Sequence, residues 1–110
     1  MSSYTLRFTR TAEVCLFDIE SFKTSTMGTA LAARFVDDLF DIIVNSLEAD
    51  PFRYRYNIEL LELGLEAREY LTPQGYRVLY GIDDNVVDVW LILHTRQDIE
   101  TALWRHMMFR

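Results

Sequence analysis

The stretch GYRVLYGIDDNVVDVWLILHTRQD (75–98) decides the fold. Its first half, YRVLYGI (76–82), alternates apolar and other side chains, as a half-buried strand does. Asp83–Asp84–Asn85 is turn chemistry, because Asp and Asn bond their own backbone and tolerate left-handed angles. VVDVWLILHT (86–95) is a long apolar run, the mark of a central strand buried on both faces. The two halves make a β-hairpin that carries Arg77 near one end and His94 and Arg96 near the other. Just upstream, AREYLT (67–72) alternates and PQG (73–75) supplies a turn, so three strands form an antiparallel meander.

Working outward, YTLRF (4–8) reads as a first strand, with Tyr4, Leu6 and Phe8 on one side. Residues 11–24 change to helical period, with Val14, Phe17 and, a turn on, Ser21 or Phe22 in the stripe, Leu16 and Ile19 widening it, and Thr11 as N-cap. TSTMGT (24–29) interrupts. Leu31, Phe35, Leu39, Ile42, Ile43 and Leu47 then mark a second helix, which stops before Asp50–Pro51. Residues 51–65 show no clear period and read as irregular. Asp98 caps a short closing helix, IETALWRHMM (99–108). Helices bunched early and strands bunched late indicate α+β. The expected architecture is an N-terminal strand, a helical hairpin, a three-stranded antiparallel meander and a short C-terminal helix, in one domain over residues 1–110.

Half of the 110 residues are apolar, enough for a core without staples. Cys15 is the single cysteine, which fits a reducing compartment, and it sits in the apolar run VCLF as a small core residue. No signal peptide and no membrane span is expected, which points to the cytoplasm. Two His and one Cys without ligand spacing argue against a metal site, and no cofactor motif is present. The net charge of −6 argues against whole-surface attraction to nucleic acid. Yet ten of the eleven basic residues are Arg, whose planar fork grips carboxylates and phosphates with two hydrogen bonds.

The hairpin resembles the closing hairpin of the RelE/ParE superfamily, the toxins of bacterial type II toxin–antitoxin pairs. Tyr76, Arg77, Tyr80, Asp83, His94, Arg96 and Asp98 match its pattern, and AREYL and the opening strand with its helices fit the rest. The resemblance implies a toxin neutralised by a cognate antitoxin, with either of two targets. RelE-like members cut mRNA on the ribosome by attack of a ribose 2′-OH on the adjacent phosphate, which needs proton-transfer groups and cations. ParE-like members bind DNA gyrase. For a nuclease, the resemblance makes Arg77, His94 and Arg96 the catalytic set, with Arg68 beside them as a phosphate- or target-binding residue. Several departures favour the gyrase-binding reading. The tail ALWRHMM has no Tyr, Tyr70 stands where a cation is common, and Gln97 replaces the second basic residue of a pair.

Other readings of the same residues are ordinary. Arg68 and Arg77 could line a sheet and pair with Glu69 or Asp88. His94 could be a structural, hydrogen-bonded histidine, and His106 a helix-packing one. RYRY (53–56), with Arg53 and Arg55, could stack bases and hold phosphates, grip an acidic antitoxin, or cover helix ends. The tail LWRHMMFR (103–110) has the composition of an interface, so Trp104, Met107, Phe109 and Arg110 are the expected contacts to the antitoxin or to a second copy of the chain.

Overall fold

A computed structural model of the chain describes the backbone of residues 4–108 and the side chains of residues 4–106. Its elements follow the order β1 (Thr5–Phe8), α1 (Arg10–Met27), α2 (Thr29–Ala49), α3 (Ile58–Glu62), β2 (Arg68–Leu71), β3 (Tyr76–Asp83), β4 (Val86–His94) and α4 (Ile99–Met108). The four strands form one mixed sheet in the order β1-β4-β3-β2. The expected meander is present as β2-β3-β4, and β1 joins it by pairing parallel to β4.

The β3–β4 hairpin turns at Asp84, whose φ of 54° is the left-handed value that Asp tolerates. From the turn, Asp83 faces Val86 and Tyr80 faces Val89. The register then shifts, so that Leu79 faces Leu91 and Trp90 is an extra residue on β4, a β-bulge. The Trp90 ring lies against Gly81: a Cβ there would sit 2.5 Å from Trp90 Cζ2. Past the bulge Leu91, Ile92 and Leu93 are all buried, as expected of a central strand.

The helical hairpin packs on the sheet, α1 against β4 and α2 against β1. Its joint is the single residue Gly28, with φ 89°. Three details of α1 differ from expectation. The helix runs on to Met27, through most of the stretch TSTMGT expected to interrupt it. The N-cap is Thr9, not Thr11: Thr9 Oγ1 accepts a hydrogen bond from the Ala12 amide at 3.1 Å. The stripe is also rotated. Ala12 and Cys15 are buried, while Val14, Phe17 and Phe22 are exposed. Small residues let α1 lie close to β4. Phe22 is two helical turns on from Cys15 and shares its face, but it stays largely uncovered. In α2 the buried set is Ala32, Val36, Leu39, Ile43 and Leu47, with Phe35 and Ile42 packed at its margin and Leu31 left exposed.

Residues 51–65 are not wholly irregular. Asn57 Oδ1 accepts from the Leu60 amide at 2.9 Å and starts the five-residue α3, which ends before Gly64. The chain just before it runs antiparallel to β2. The Glu69 amide donates to the Arg55 carbonyl at 2.9 Å, and the Asn57 amide to that of Ala67 at 2.7 Å. The segment therefore covers part of an edge strand that would otherwise present free backbone groups. No described helix is long and apolar enough to cross a membrane.

Candidate functional site

Alternation along β3 sorts its side chains onto two faces. Tyr76 and Tyr80 point to the helical hairpin. The Tyr76 ring stands edge-on to Phe35 of α2 at 6.0 Å, and the Tyr80 hydroxyl donates to the Pro51 carbonyl at 2.6 Å. Arg77 and Gly81 point the other way. Directly paired residues share a face, and the pairs here are Tyr76 with His94 and Arg77 with Leu93. His94 therefore lies on the helical side, its ring 5.6 Å from Tyr76 in a T-shaped contact, and Arg77 lies on the opposite side.

The bulge causes this separation. An unbulged hairpin with the same turn would pair Arg77 with Ile92, and His94, two residues on, would share the arginine's face. One extra residue at Trp90 moves the partner to Leu93 and turns His94 over. The structure therefore does not bring together the three groups expected of a nuclease. Arg77 sits with Glu69, Nε to Oε1 at 3.3 Å, an approach too poorly aligned to count as a hydrogen bond. Glu69 Oε1 also accepts from Asn57 Nδ2 at 2.7 Å. On the same face Arg7 is paired with Asp88 at 2.8 Å. The arginines that β1 and β3 put on this face are thus matched by carboxylates, and a phosphate bound by either would have to displace one of them.

Arg68 is opposite Tyr80 and so lies on the helical side. Its guanidinium stands over the Tyr56 ring at 4.4 Å and the Phe52 ring at 5.3 Å. Nη1 donates to the Tyr54 carbonyl at 2.6 Å. Arg68 holds the 52–56 segment in place, and Tyr54 packs on Tyr70 at 4.7 Å, so the aromatic half of RYRY is committed to the fold. Arg53 and Arg55 are exposed. They and Arg96 make no ion pair with a described residue.

At the end of β4 the turn is built on His94. Its Nδ1 accepts from the Arg96 amide at 3.1 Å, and its own amide donates to Gln97 Oε1 at 2.7 Å. Nδ1 as acceptor places the ring proton on Nε2. Gln97, which departs from the family's basic pair, serves here as the acceptor that closes this turn. Asp98 then caps α4 as expected, its Oδ2 accepting from the Thr101 amide at 3.2 Å and hydroxyl at 2.6 Å. These bonds hold the Asp98 carboxyl below its usual range.

Helix α4 returns against α1. His106 Nε2 is 3.8 Å from Cys15 Sγ, and Arg105 Nη2 is 3.8 Å from Asp18 Oδ2. Burial pushes the Cys15 thiol up, and burial, with Arg105 adding to it, pushes the His106 imidazolium down. Both shifts favour a neutral pair, so Cys15 is a core residue and not an activated nucleophile. Trp104 is 66% exposed on this helix. The Met107 side chain, Phe109 and Arg110 lie outside the described residues. Between α1, α4 and the ends of β3 and β4 is a pocket of about 490 Å³, on whose wall His94 stands. Lys23, Asp18 and Arg105 reach it only through the α1–α4 contact, which no local pattern in the sequence discloses. Among the described residues no group of three or more His, Cys, Asp or Glu is placed to hold a metal ion.

Comparison with known proteins agrees with this architecture. The family described as ParE toxin of type II toxin-antitoxin system, parDE, matches residues 6–99. No curated protein matches the chain. Among solved structures, the chromosomal ParDE toxin–antitoxin system from P. aeruginosa is similar with a TM-score of 0.69 at 15% identity, covering 84% of this chain and 97% of that one. The RelBE2 toxin–antitoxin complex from Mycobacterium tuberculosis is similar with a TM-score of 0.60 at 24% identity, covering 83% and 96%. At these identities the likeness speaks for the fold.

Proposed function

The chain belongs to the ParE toxin family of type II toxin–antitoxin systems, and from that premise we propose that it arrests growth by binding DNA gyrase and is held inactive by a cognate antitoxin. The observation that carries the choice of target is the bulge at Trp90. Cleavage of a phosphodiester by its neighbouring 2′-OH needs a proton-transfer group and a cation within reach of one phosphate. Here the only histidine on the hairpin and Arg77 are on opposite faces of the sheet. The electrostatics point the same way. Helices α1 and α2 (10–49) carry seven acidic against three basic side chains, a poor surface for ribosomal RNA. A protein target needs neither an assembled phosphate site nor a positive face.

Purified chain added to gyrase and relaxed plasmid is expected to block supercoiling or to trap cleaved DNA. The same chain added to translating ribosomes should leave mRNA whole. Cleaved mRNA with untouched gyrase would replace this reading by the ribosome-dependent nuclease.

For the antitoxin, the exposed Trp104 is the proposed anchor, since a large aromatic side chain left in water on a short helix is the usual centre of a binding hot spot. Trp104→Ala is expected to weaken antitoxin binding by about 2 kcal/mol or more, roughly thirtyfold, with little change in thermal stability. Titration calorimetry reads both partners. An unchanged affinity would remove α4 from the interface.

A further inference from the structure

We infer that the pocket between α1, α4 and the ends of β3 and β4 is a binding site for a small phosphate ester carrying a flat ring, a ligand of the nucleotide class. Its size, about 490 Å³, is within the range of small-molecule sites. One wall carries Tyr76 and His94, edge-on to one another at 5.6 Å, and α1 adds the exposed Phe22 and Lys23 to the lining. The Phe22 ring offers a face for stacking and Lys23 an ammonium. His94 adds a donor, because its Nδ1 is already occupied and the proton is on Nε2. The facing wall is α4, where Arg105 and His106 line the pocket.

The charge pattern selects the ligand. Helices α1 and α2 are acidic as a whole, yet the pocket gathers two cations, Lys23 and Arg105, against the single carboxylate of Asp18, with the imidazoles of His94 and His106 as hydrogen-bonding groups. Asp18 holds Arg105 only loosely, at 3.8 Å, with Arg105 largely and Asp18 about half exposed. An anionic head can therefore take the cations without breaking a tight pair, while Asp18 accepts from hydroxyl groups. A bare anion would leave the aromatic wall unused, and an uncharged ring would leave the cations unused. A nucleoside monophosphate uses both, and the inference does not depend on which cellular target the toxin has.

The test uses the full chain and adenosine monophosphate as probe, with the imidazole signals of His94 and His106 followed by NMR. Saturable shifts of both rings are expected below about 10 mM, with adenosine alone and inorganic phosphate alone each at least about tenfold weaker. Lys23→Ala should weaken the response about tenfold or more while the far-ultraviolet circular dichroism is unchanged. Should that variant not fold, the exposed Arg105→Gln makes the same measurement. No saturable shift, an equal response to adenosine, or an unaltered response in the folded variants would overturn the inference. So would a response to a short RNA with none to the mononucleotide.

Discussion

Replacing Tyr80 by alanine should cost about 3–5 kcal/mol, the range for truncating a large buried aromatic ring. A small domain holds about 5–15 kcal/mol in total, so the loss takes a large share of the stability. The side chain is fully buried in the centre of β3, and its hydroxyl reaches the Pro51 carbonyl at the end of α2. It thus does two things at once. The ring fills the space between sheet and helical hairpin, and the hydroxyl ties down the start of the segment that Arg68 holds from the other end. Tyr80→Phe separates them: it keeps the ring and strands one buried carbonyl, at about 1–3 kcal/mol. Urea denaturation of the two variants should rank them in that order. Alkaline pH gives an independent check. Burial raises the Tyr80 phenol well above its ordinary value, so the neutral form is favoured in the folded state. That stability is fully present below the unfolded value near 10 and is lost as pH rises beyond it. Tyr80 should therefore ionise only as the protein unfolds. Equal stability of parent and Tyr80→Ala would mean that the hairpin does not carry the core.

Gly81→Val should be the most damaging change that adds atoms to the sheet. A Cβ at this position meets Trp90 Cζ2 at 2.5 Å and Cη2 at 2.8 Å, and both belong to a rigid ring. Overpacking of this kind costs about 1–3 kcal/mol, and two further methyl groups place valine toward the upper end. The main chain of Trp90 is held in place, since it is the bulge residue and its carbonyl accepts from Thr9 Oγ1 at 3.4 Å. The double variant with Trp90→Ala should lose clearly less than the sum of the two single losses. Full additivity would show that the two residues do not touch. The pair matters beyond stability, because it sits at the irregularity that decides on which face His94 emerges.

Legibility in the sequence followed from how far a local pattern determines the result. The β3–β4 hairpin was readable because alternation and an Asp-Asp-Asn turn coincide, and α2 because its apolar residues recur over five turns. The bulge was not, since VVDVWLILHT has no period from which a register could be read. That one residue hid the separation of Arg77 from His94. Helix α1 was misphased because Phe17 and Phe22, the largest apolar residues in it, are left exposed while Ala12 and Cys15 make the contact. Five residues are too few for α3 to show a helical repeat, although the Asn57 cap was there to be seen. The functions of Arg68 and Gln97 as framework residues depend on partners at a turn or in a distant loop, which composition does not disclose.

Tightly controlled induction of the chain without antitoxin, with labelled thymidine and labelled methionine followed in the same culture, separates gyrase from the ribosome as the proposed target. With gyrase as the target, DNA synthesis falls first and translation continues on intact mRNA. An immediate stop in translation with cleaved mRNA, while DNA synthesis goes on, would overturn the proposal.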